Sequence, residues 1–442
     1  MFFKNNMKEL SGWGRYPKIK TKELIPNSQS ELIDILSQSK SYIPRGKGMS
    51  YGDSAVNKDL TITMTKFNRY IEWNQKSGEL IAESGVTISD IIKTFLPRGW
   101  FPYVTPGAKL ITLGGAIACD VHGKNHHIDG SFGDFVNWID IVNDKNKIIR
   151  CSRSKNAELF NWTIGGMGLT GIIVRCSIQL KKVKSGWIRQ KNVTNNNIKE
   201  TFESFHTHRN ATYSVAWIDC LASGRSLGRS ILMLGEHADE SEVSKKLELF
   251  PKKRNQKISF FFDLPSFLLN NLSISIFNNI YFNLNKRDSD SYVDWDTYFY
   301  PLDSIGNWNR LYGKRGFFQF QCVLPNESSE EGYIKILSVI QKKTSGSFLA
   351  VLKQFGSGNK SLSFPKEGFT LALDFKAIKK NIKAAHELTK IVNDLGGKIY
   401  LAKDAIMNSK QFEEQINEKS RLDFSKFRNE SIRSMQSQRL KI

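Results

Sequence analysis

Three glycine clusters dominate the N-terminal part of this 442-residue chain, at residues 44–53, 106–123 and 165–171. Glycine allows backbone N–H groups to converge on an anion, and it lets a flat or extended ligand approach the main chain closely. Each cluster lies next to a stretch whose β-branched and apolar residues predict a strand. A lone cluster is commonly a tight turn, but three in one domain favour a large, extended cofactor.

The first cluster reads PRGKGMSYGD, in which Arg45 and Lys47 supply positive charge and Ser50 supplies a hydroxyl donor. A Rossmann-type loop would open directly into a helix, whereas this cluster runs through polar residues into a predicted strand at 60–64. No GKS or GKT triplet follows, so it is not a P-loop. Taken alone, such a stretch is more often a surface turn than a phosphate site.

Strands and helices alternate without a regular βαβ rhythm, which predicts an α+β fold rather than a doubly wound sheet. We predict a first domain over residues 1–184, a second sheet-plus-helices domain over 185–395, and a C-terminal segment over 396–442. The apolar spacing predicts helices at four places. They are residues 88–95, 240–250, 330–341 and 377–395.

Metal and disulfide sites are not predicted. His126 and His127 are adjacent, and no further ligand stands at a spacing that completes a metal site. The five cysteines are odd in number and form no CxxC pair, which argues against zinc and against a disulfide framework. A reducing compartment follows.

The net charge of +21 favours anionic partners: nucleic acid, an anionic membrane or a phosphorylated substrate. The basic residues are dispersed and no nucleic-acid-binding pattern accompanies them, so no nucleic acid partner is predicted. The most apolar stretch, residues 258–284, is interrupted by asparagines, an aspartate and a proline, so it is not a spanning helix. It is either an apolar surface for a membrane or an apolar ligand chain, or buried core of the second domain.

The order RGxGxSYGD (45–53), PGxxxxTLGGAIACDVHGKNHH (106–127) and ELFxWTIGGMGLTGII (158–173) resembles the vanillyl-alcohol-oxidase type of FAD-binding flavoproteins. The resemblance continues nearly end to end, to Tyr400-Leu401-Ala402-Lys403-Asp404, and is strongest to members that oxidise polyprenyl-phosphate pentoses. It implies a two-lobed FAD-binding domain, a substrate-binding second domain, and a C-terminal segment that returns to the active site.

The same resemblance implies FAD-dependent oxidation of a 2'-hydroxyl to a keto sugar. This reaction is the first half of a ribose-to-arabinose epimerisation for cell-wall arabinan, which a separate short-chain keto-sugar reductase completes. With no signal peptide evident, we expect a cytoplasmic protein, peripheral on an anionic inner membrane; the periplasmic face stays open. The alternative is a soluble sugar, alditol or aldonolactone oxidase or dehydrogenase of the same fold.

Site residues are carried over from the resemblance position by position. The residues matching catalytic positions are Lys403, Tyr51 and Gln321. Those matching cofactor-binding positions are Arg45, Gly46, Lys47, Gly48, Met49, Ser50, Tyr51, Gly52, Asp53, Ser54, Gly107, Thr112, Leu113, Gly114, Gly115, Cys119, Asp120, Val121, His122, Ile172, Ile173 and Tyr400. Those matching substrate-binding positions are Lys124, Gln321, Lys353, Thr370 and Lys403.

Two features of this chain differ from its relatives. The first glycine loop has no histidine, the residue through which many relatives tether FAD, so non-covalent FAD is expected. Ala372 stands where the close family has a cysteine beside the flavin, and Thr370 stands where it has an asparagine. Thiol-directed covalent inhibitors should therefore fail, and the recognition of the sugar is open at these two positions.

Overall fold

The computed structural model describes residues 7–254, 258–265, 269–286, 289–358 and 362–442. The strands of the first sheet are β1 (Met7–Leu10), β2 (Ile19–Leu24), β3 (Ile43–Arg45) and β4 (Leu60–Thr63). Their order is β1-β2-β4-β3, and β2 and β3 both run parallel to β4. β4 is buried along its whole length, as its β-branched residues predict. The first glycine loop is the connection from β3 to β4.

The second sheet forms the other lobe of the N-terminal part. Its strands are β5 (Tyr70–Trp73), β6 (Glu79–Glu83), β7 (Trp100–Pro102), β8 (Val136–Val142), β9 (Ile148–Ser152) and β10 (Ile172–Lys182). β10 is the central strand and pairs antiparallel with β6, β7 and β8. The third glycine cluster leads directly into β10, so its backbone is positioned by this sheet.

The third sheet is antiparallel and belongs to the second half of the chain. The strands of this half are β11 (Trp187–Asn195), β12 (Tyr213–Ile218), β13 (Ser230–His237), β14 (Ile258–Ser259), β15 (Ser289–Asp294), β16 (Ile305–Gly306), β17 (Phe317–Leu324), β18 (Ala350–Phe355), β19 (Gly368–Lys376) and β20 (Lys398–Ile399). The sheet order is β15-β11-β13-β12-β18-β19-β17-β20, and β14 and β16 form a separate two-stranded sheet. The changeover from the second sheet to the third falls between Lys182 and Trp187, and we propose the domain boundary there, near residue 184.

Helices connect and flank these strands. They are α1 (Gln29–Ser37), α2 (Ile88–Phe95), α3 (Leu113–Ala118), α4 (His126–Asp129), α5 (Ala157–Thr163), α6 (Ile198–Thr207), α7 (Asn271–Asn285), α8 (Trp295–Phe299), α9 (Asn326–Lys343), α10 (Lys379–Asp394), α11 (Ser409–Glu413), α12 (Glu418–Ser425) and α13 (Met435–Leu440). α2 has the predicted bounds, because its apolar residues recur at helical spacing and a capping box between Thr87 and Asp90 fixes its start. Within the described ranges, no helix combines the length and apolar character needed to cross a bilayer.

The helix predicted at 240–250 is wrong. The structure has only a single 3₁₀ turn at Glu240–Glu242, and the residues that follow are turns and extended chain. The segment buries none of its side chains, and Leu247 is exposed. A short helix needs a packed apolar face to outweigh the entropy cost of ordering its backbone, and this segment has none.

The C-terminal segment packs against the first glycine loop. In α13, the Arg439 guanidinium donates to Asp53 Oδ1 at 2.7 Å and to Asp404 Oδ2 at 3.0 Å. Both carboxylates are buried, so the shared arginine compensates two charges that would otherwise be costly. The chain end thus ties the loop after β3 to the turn that carries Lys403.

Candidate functional site

A cavity of about 510 Å³ lies where the three sheets meet, which is within the usual range for ligand pockets. Most of the predicted site residues line it. They are Arg45, Gly46, Lys47, Gly48, Met49, Ser50, Tyr51, Ser54, Gly107, Thr112, Gly114, Gly115, Cys119, Val121, His122, Lys124, Ile173, Gln321, Lys353, Tyr400 and Lys403. The three glycine clusters and both lobes therefore face one space.

The first glycine loop forms one end of the cavity. The Arg45 guanidinium points back into the loop, donating to the carbonyls of Ala55 at 3.2 Å and Ser11 at 2.7 Å. Gly48 adopts a left-handed conformation with φ of 66°, and a Cβ there would collide with the Arg45 guanidinium. Arg45 thus stabilises the conformation of the loop from inside, and the backbone of the loop remains available to bind a ligand.

The second glycine cluster forms the adjoining wall. Thr112 caps α3, and a Cβ on Gly46 would collide with the Thr112 side chain, so the first and second clusters touch. The Ser50 and Ser84 hydroxyls line the cavity, are buried, and find no partner among the described residues. Buried polar groups are normally satisfied, so these hydroxyls are available to a bound polar ligand. An elongated cofactor with a pyrophosphate, such as FAD, fits this wall.

A directional hydrogen-bond chain lies deeper in the cavity. Gln321 Nε2 donates to Thr370 Oγ1 at 3.1 Å and contacts His122 Nε2 at 3.0 Å, while Lys353 Nζ lies 3.1 Å from His122 Nδ1. An amide nitrogen only donates, so His122 Nε2 accepts and Nδ1 carries the proton of the neutral ring. Nδ1–H donates to Lys353 Nζ only while the lysine amine is uncharged.

The pKa values of His122 and Lys353 are both lowered, which makes the neutral forms of both groups accessible near neutral pH. Burial, and secondarily the charge of Lys353, holds the pKa of His122 well below its usual range. Burial, and secondarily the charge of Lys403, lowers the pKa of Lys353 to about 7. His122 is thus neutral, whereas the Lys353 amine gains or loses its charge near pH 7.

Lys124 lies against another part of the cavity wall, which is formed by residues of the segment 297–303. Its ammonium group donates to the Tyr298 carbonyl and lies 4.0 Å from the centroid of the Tyr298 ring. Burial, followed by the charge of Lys353, lowers the pKa of Lys124 to about 7. A hydrogen bond between Thr105 and Tyr300 and an ion pair between Lys109 and Asp296 hold this wall against the second glycine cluster.

Lys403 lies between the loop after β3 and the third sheet. Its Nζ lies 3.8 Å from the centroid of the Tyr51 ring. Burial lowers its pKa, although the carboxylate of Asp374 acts in the opposite direction. Asp374 is itself buried, which raises its pKa, and it accepts a hydrogen bond from Gln319 Nε2 at 2.6 Å. Lys403 and Asp374 therefore form a buried, electrostatically coupled pair beside the cavity.

Six predicted site residues do not line the cavity. They are Gly52, Asp53, Leu113, Asp120, Ile172 and Thr370. Asp53 accepts a hydrogen bond from Arg439. Asp120 accepts from the Gly133 amide at 2.9 Å and from the Ser363 hydroxyl. Leu113 and Ile172 face the apolar core, whereas Ile173 on the other side of β10 lines the cavity. These residues support the walls from behind.

Sequence reasoning missed several residues of the site. Gln319, Ser84 and Trp308 line the cavity, and Asp374 lies behind it. Asp374 carried a usable signal, because a carboxylate in the otherwise apolar strand FTLALDF is costly without a partner. Ser84 carried none. Among the described residues no cluster of three or more histidine, cysteine, aspartate or glutamate side chains is arranged to hold a metal ion.

The chain is similar in sequence to known proteins. Residues 23–152 match the family described as FAD binding domain. Over 422 residues the chain is 32% identical to decaprenylphosphoryl-beta-D-ribose oxidase of Mycolicibacterium smegmatis, covering 93% of this chain and 92% of that protein. The resemblance, the fold class and the FAD cofactor predicted from sequence are thereby confirmed.

Two further relatives are more distant. An uncharacterized protein of the mprA 5' region of Streptomyces coelicolor is 24% identical over 332 residues, covering 72% of this chain and 89% of that protein. D-arabinono-1,4-lactone oxidase of Kluyveromyces lactis is 24% identical over 189 residues, covering 41% of this chain and 34% of that protein. The match to the lactone oxidase thus spans much less of the chain than the other two.

The lowered pKa values of Lys124 and Lys353 predict pH-dependent binding of a phosphate group. A lysine is charged only below its pKa, so both lose their positive charge as the pH rises above about 7. We expect the Kd of a soluble dialkyl phosphate for the FAD-loaded protein to rise about tenfold between about pH 7 and about pH 8.5. Titration calorimetry measures this Kd, and Lys353→Gln should flatten its pH dependence. A Kd that is constant in the unmodified protein would contradict the shifts.

Proposed function

The chain belongs to the decaprenylphosphoryl-β-D-ribose oxidase family of FAD-dependent oxidoreductases, and from this premise we propose that it oxidises the 2'-hydroxyl of a polyprenyl-phosphate pentose to a keto sugar. One observation carries the proposal: the match to the oxidase spans both domains, including the one that supplies the third sheet. Lys124 and Lys353 of that shared cavity offer positive charge to a phosphate.

We propose that the glycine clusters hold FAD. The backbone of residues 46–50 and the Ser50 hydroxyl would bind the pyrophosphate, while residues 107–122 would line the flavin and Ile173 the adenine end. When bound, FAD supplies the two-electron acceptor for the alcohol carbon. The neutral His122 and the Tyr400 hydroxyl, which donates to the Cys119 carbonyl at 3.0 Å, would then lie along the same wall.

Lys403 is our candidate for electrostatic stabilisation. Its ammonium group lies over the Tyr51 ring and lines the cavity, whereas Asp374 is not among the lining residues. A fixed ammonium group stabilises negative charge that develops near it without any cost of reorganisation. Tyr51 and Gln321 would orient the sugar hydroxyls. The pKa of Tyr51 is raised well above its usual range, chiefly by burial, so it contributes a phenol rather than a phenolate.

The setting of the reaction is also a proposal. A keto sugar produced by this step needs a reductase to complete an epimerisation, so a separate short-chain reductase would act next in the formation of the cell-wall arabinan donor. A polyprenyl substrate resides in a membrane, and the net charge of +21 favours contact with an anionic leaflet. We propose peripheral attachment at the cytoplasmic face of the inner membrane.

The FAD should be released by acid or denaturant, because the loop at 44–54 has no histidine to tether it. Precipitating the yellow protein with acid should leave the flavin absorbance in the supernatant. Flavin that stays in the protein pellet, or on the denatured polypeptide in a gel, would contradict non-covalent binding.

The substrate class is tested by anaerobic flavin reduction. Prenylphosphoryl ribose should bleach the flavin faster than free ribitol, xylitol or an aldonolactone does, because only the first carries a phosphate for Lys124 and Lys353. Faster reduction by the soluble compounds would favour the alternative of a sugar, alditol or aldonolactone oxidase, for which the relative from Kluyveromyces lactis is the precedent.

Lys403→Met should slow flavin reduction by the prenylphosphoryl pentose by about 100-fold or more, because it removes the ammonium group and keeps an apolar chain of similar volume. Lys410→Met, an exposed lysine of α11, serves as the matched control. Stopped-flow absorbance gives the rate, and the ratio of flavin to protein absorbance shows whether FAD is retained. A flavin-loaded Lys403→Met enzyme with a normal rate would remove Lys403 from the mechanism.

A further inference from the structure

Large exposed apolar side chains are concentrated in one region. Eight of the 19 that occur among the described residues lie between positions 258 and 284, so this region is far more apolar than the rest of the surface. We call six of them the apolar rim: Phe261, Phe262, Leu272, Ile276, Ile280 and Leu284. Phe261 is 80% exposed and Leu284 is 77% exposed. Phe267 and Leu268, which belong to the apolar stretch at residues 258–284, lie outside the described residues.

α7 is apolar on two sides, and this resolves the alternatives predicted for residues 258–284. Its inward side buries Ile274 and Phe282, while its outward side carries the four rim residues at positions 272, 276, 280 and 284. The spacing of four residues places them along one face of the helix. The segment is therefore core on one side and exposed surface on the other.

The inward side of α7 also forms part of the cavity. Tyr281 and Asn285 line it, and the Tyr281 ring packs against Trp217 with centroids 4.7 Å apart. Asn278 is buried and donates to Asp219 Oδ1 at 2.7 Å. These contacts fix α7 to the third sheet, so its outward face is held at the edge of the cavity.

The two rim phenylalanines lie on a segment that is attached to residues 305–310. β14 pairs with β16, and the Leu264 amide donates to the Arg310 carbonyl at 3.1 Å. Trp308, between these attachment points, lines the cavity. Both parts of the rim thus lie on segments that contain or are attached to residues lining the cavity.

Positively charged side chains lie near the exposed Phe261 and Phe262. Arg15 pairs with Asp263, Arg310 donates to the Phe261 carbonyl, and Lys314 is exposed nearby. All three cations lower the pKa of the single carboxyl of Asp263, so positive charge is in excess beside the phenylalanines. Aromatic and aliphatic side chains flanked by Lys and Arg are typical of surfaces that enter the headgroup region of an anionic membrane.

We infer that the apolar rim inserts into an anionic phospholipid monolayer and that the cavity opens towards the membrane there. This inference deepens the proposed function, and what it says about the substrate rests on that proposed function. In the proposed function the cavity takes up the flavin and the sugar phosphate, whereas a long apolar polyprenyl chain is best accommodated among acyl chains. With the rim inserted, the prenyl tail stays among the acyl chains while the phosphate and sugar reach the lysines.

The charge pattern favours a membrane over a second copy of the chain as the occupant of the rim. A symmetric dimer through this surface would bring the Arg15, Arg310 and Lys314 groups of two copies together, which is electrostatically unfavourable. An anionic leaflet offers the opposite sign of charge.

The test uses the FAD-loaded full chain and sedimentation with vesicles of phosphatidylglycerol and phosphatidylcholine. Phe261→Ser combined with Phe262→Ser, and separately Ile276→Ser combined with Ile280→Ser, should each lower the partition coefficient by about tenfold or more. Lys314→Gln should lower it about fivefold on anionic vesicles only. Leu422→Ser combined with Ile334→Ser removes two exposed apolar side chains elsewhere and should leave binding unchanged.

Each contrary outcome points to a different error. Failure of the unmodified protein to bind anionic vesicles, or an equal loss in the Leu422 and Ile334 variant, would overturn the inference. A dimer in light scattering that the Phe261 and Phe262 variant dissociates, without vesicle binding, would assign the rim to self-association. Equal binding to vesicles of phosphatidylcholine alone would overturn the role of charge.

The failure of the proposed function is distinguishable from the failure of this inference. Flavin reduction by a soluble substrate with a single isoprenoid unit tests the chemistry and should be unchanged in the rim variants. If that reaction fails in every variant while vesicle binding depends on the rim, the substrate proposal falls and the membrane surface stands. If the reaction with the soluble substrate succeeds but the rim variants also oxidise a long-chain substrate in vesicles at the normal rate, the rim is not the entrance for the substrate.

Discussion

Close backbone contacts around the first glycine loop are the constraint on which the site depends. Gly12 has no room for a Cβ because the carbonyls of Ser50 and Gly52 lie against it, and Gly52 lies equally close to the Asp404 carbonyl. On the other side Gly14 packs against the Phe317 carbonyl. Four chain segments that are far apart in sequence therefore meet at distances that only glycine permits.

These contacts explain how the catalytic candidates come together. Tyr51 lies in the glycine loop, its amide donates to the Ala402 carbonyl at 3.0 Å, and Lys403 follows directly. Phe317 begins the strand that carries Gln319 and Gln321. A displacement of any one segment would therefore shift the ring of Tyr51 relative to the ammonium group of Lys403. The ion pairs of Arg439 with Asp53 and Asp404 connect the glycine loop to the Lys403 turn from the C-terminal end of the chain.

The sequence predicted the parts whose physics is local. The helix at 88–95 was predictable from four apolar residues and its capping box, and the glycine clusters were predictable because left-handed and crowded backbone demands glycine. The failure at 240–250 has the converse cause: helical spacing was present, but no surface was there to bury the apolar face. The partners of Asp374 and Arg439 were out of reach, because tertiary packing decides which groups surround a buried charge.

Thr370 shows how an unusual residue can act without touching the ligand. It is fully buried behind Gln321, and its hydroxyl accepts from Gln321 Nε2. That bond keeps the amide nitrogen next to His122 Nε2, so the proton of the ring stays on Nδ1. A phosphate that charges Lys353 would then confront Nδ1–H with an ammonium group, and two donors cannot share a hydrogen bond. Anion binding must therefore move the Lys353 amine or reverse the hydrogen-bond chain from Lys353 back to Thr370.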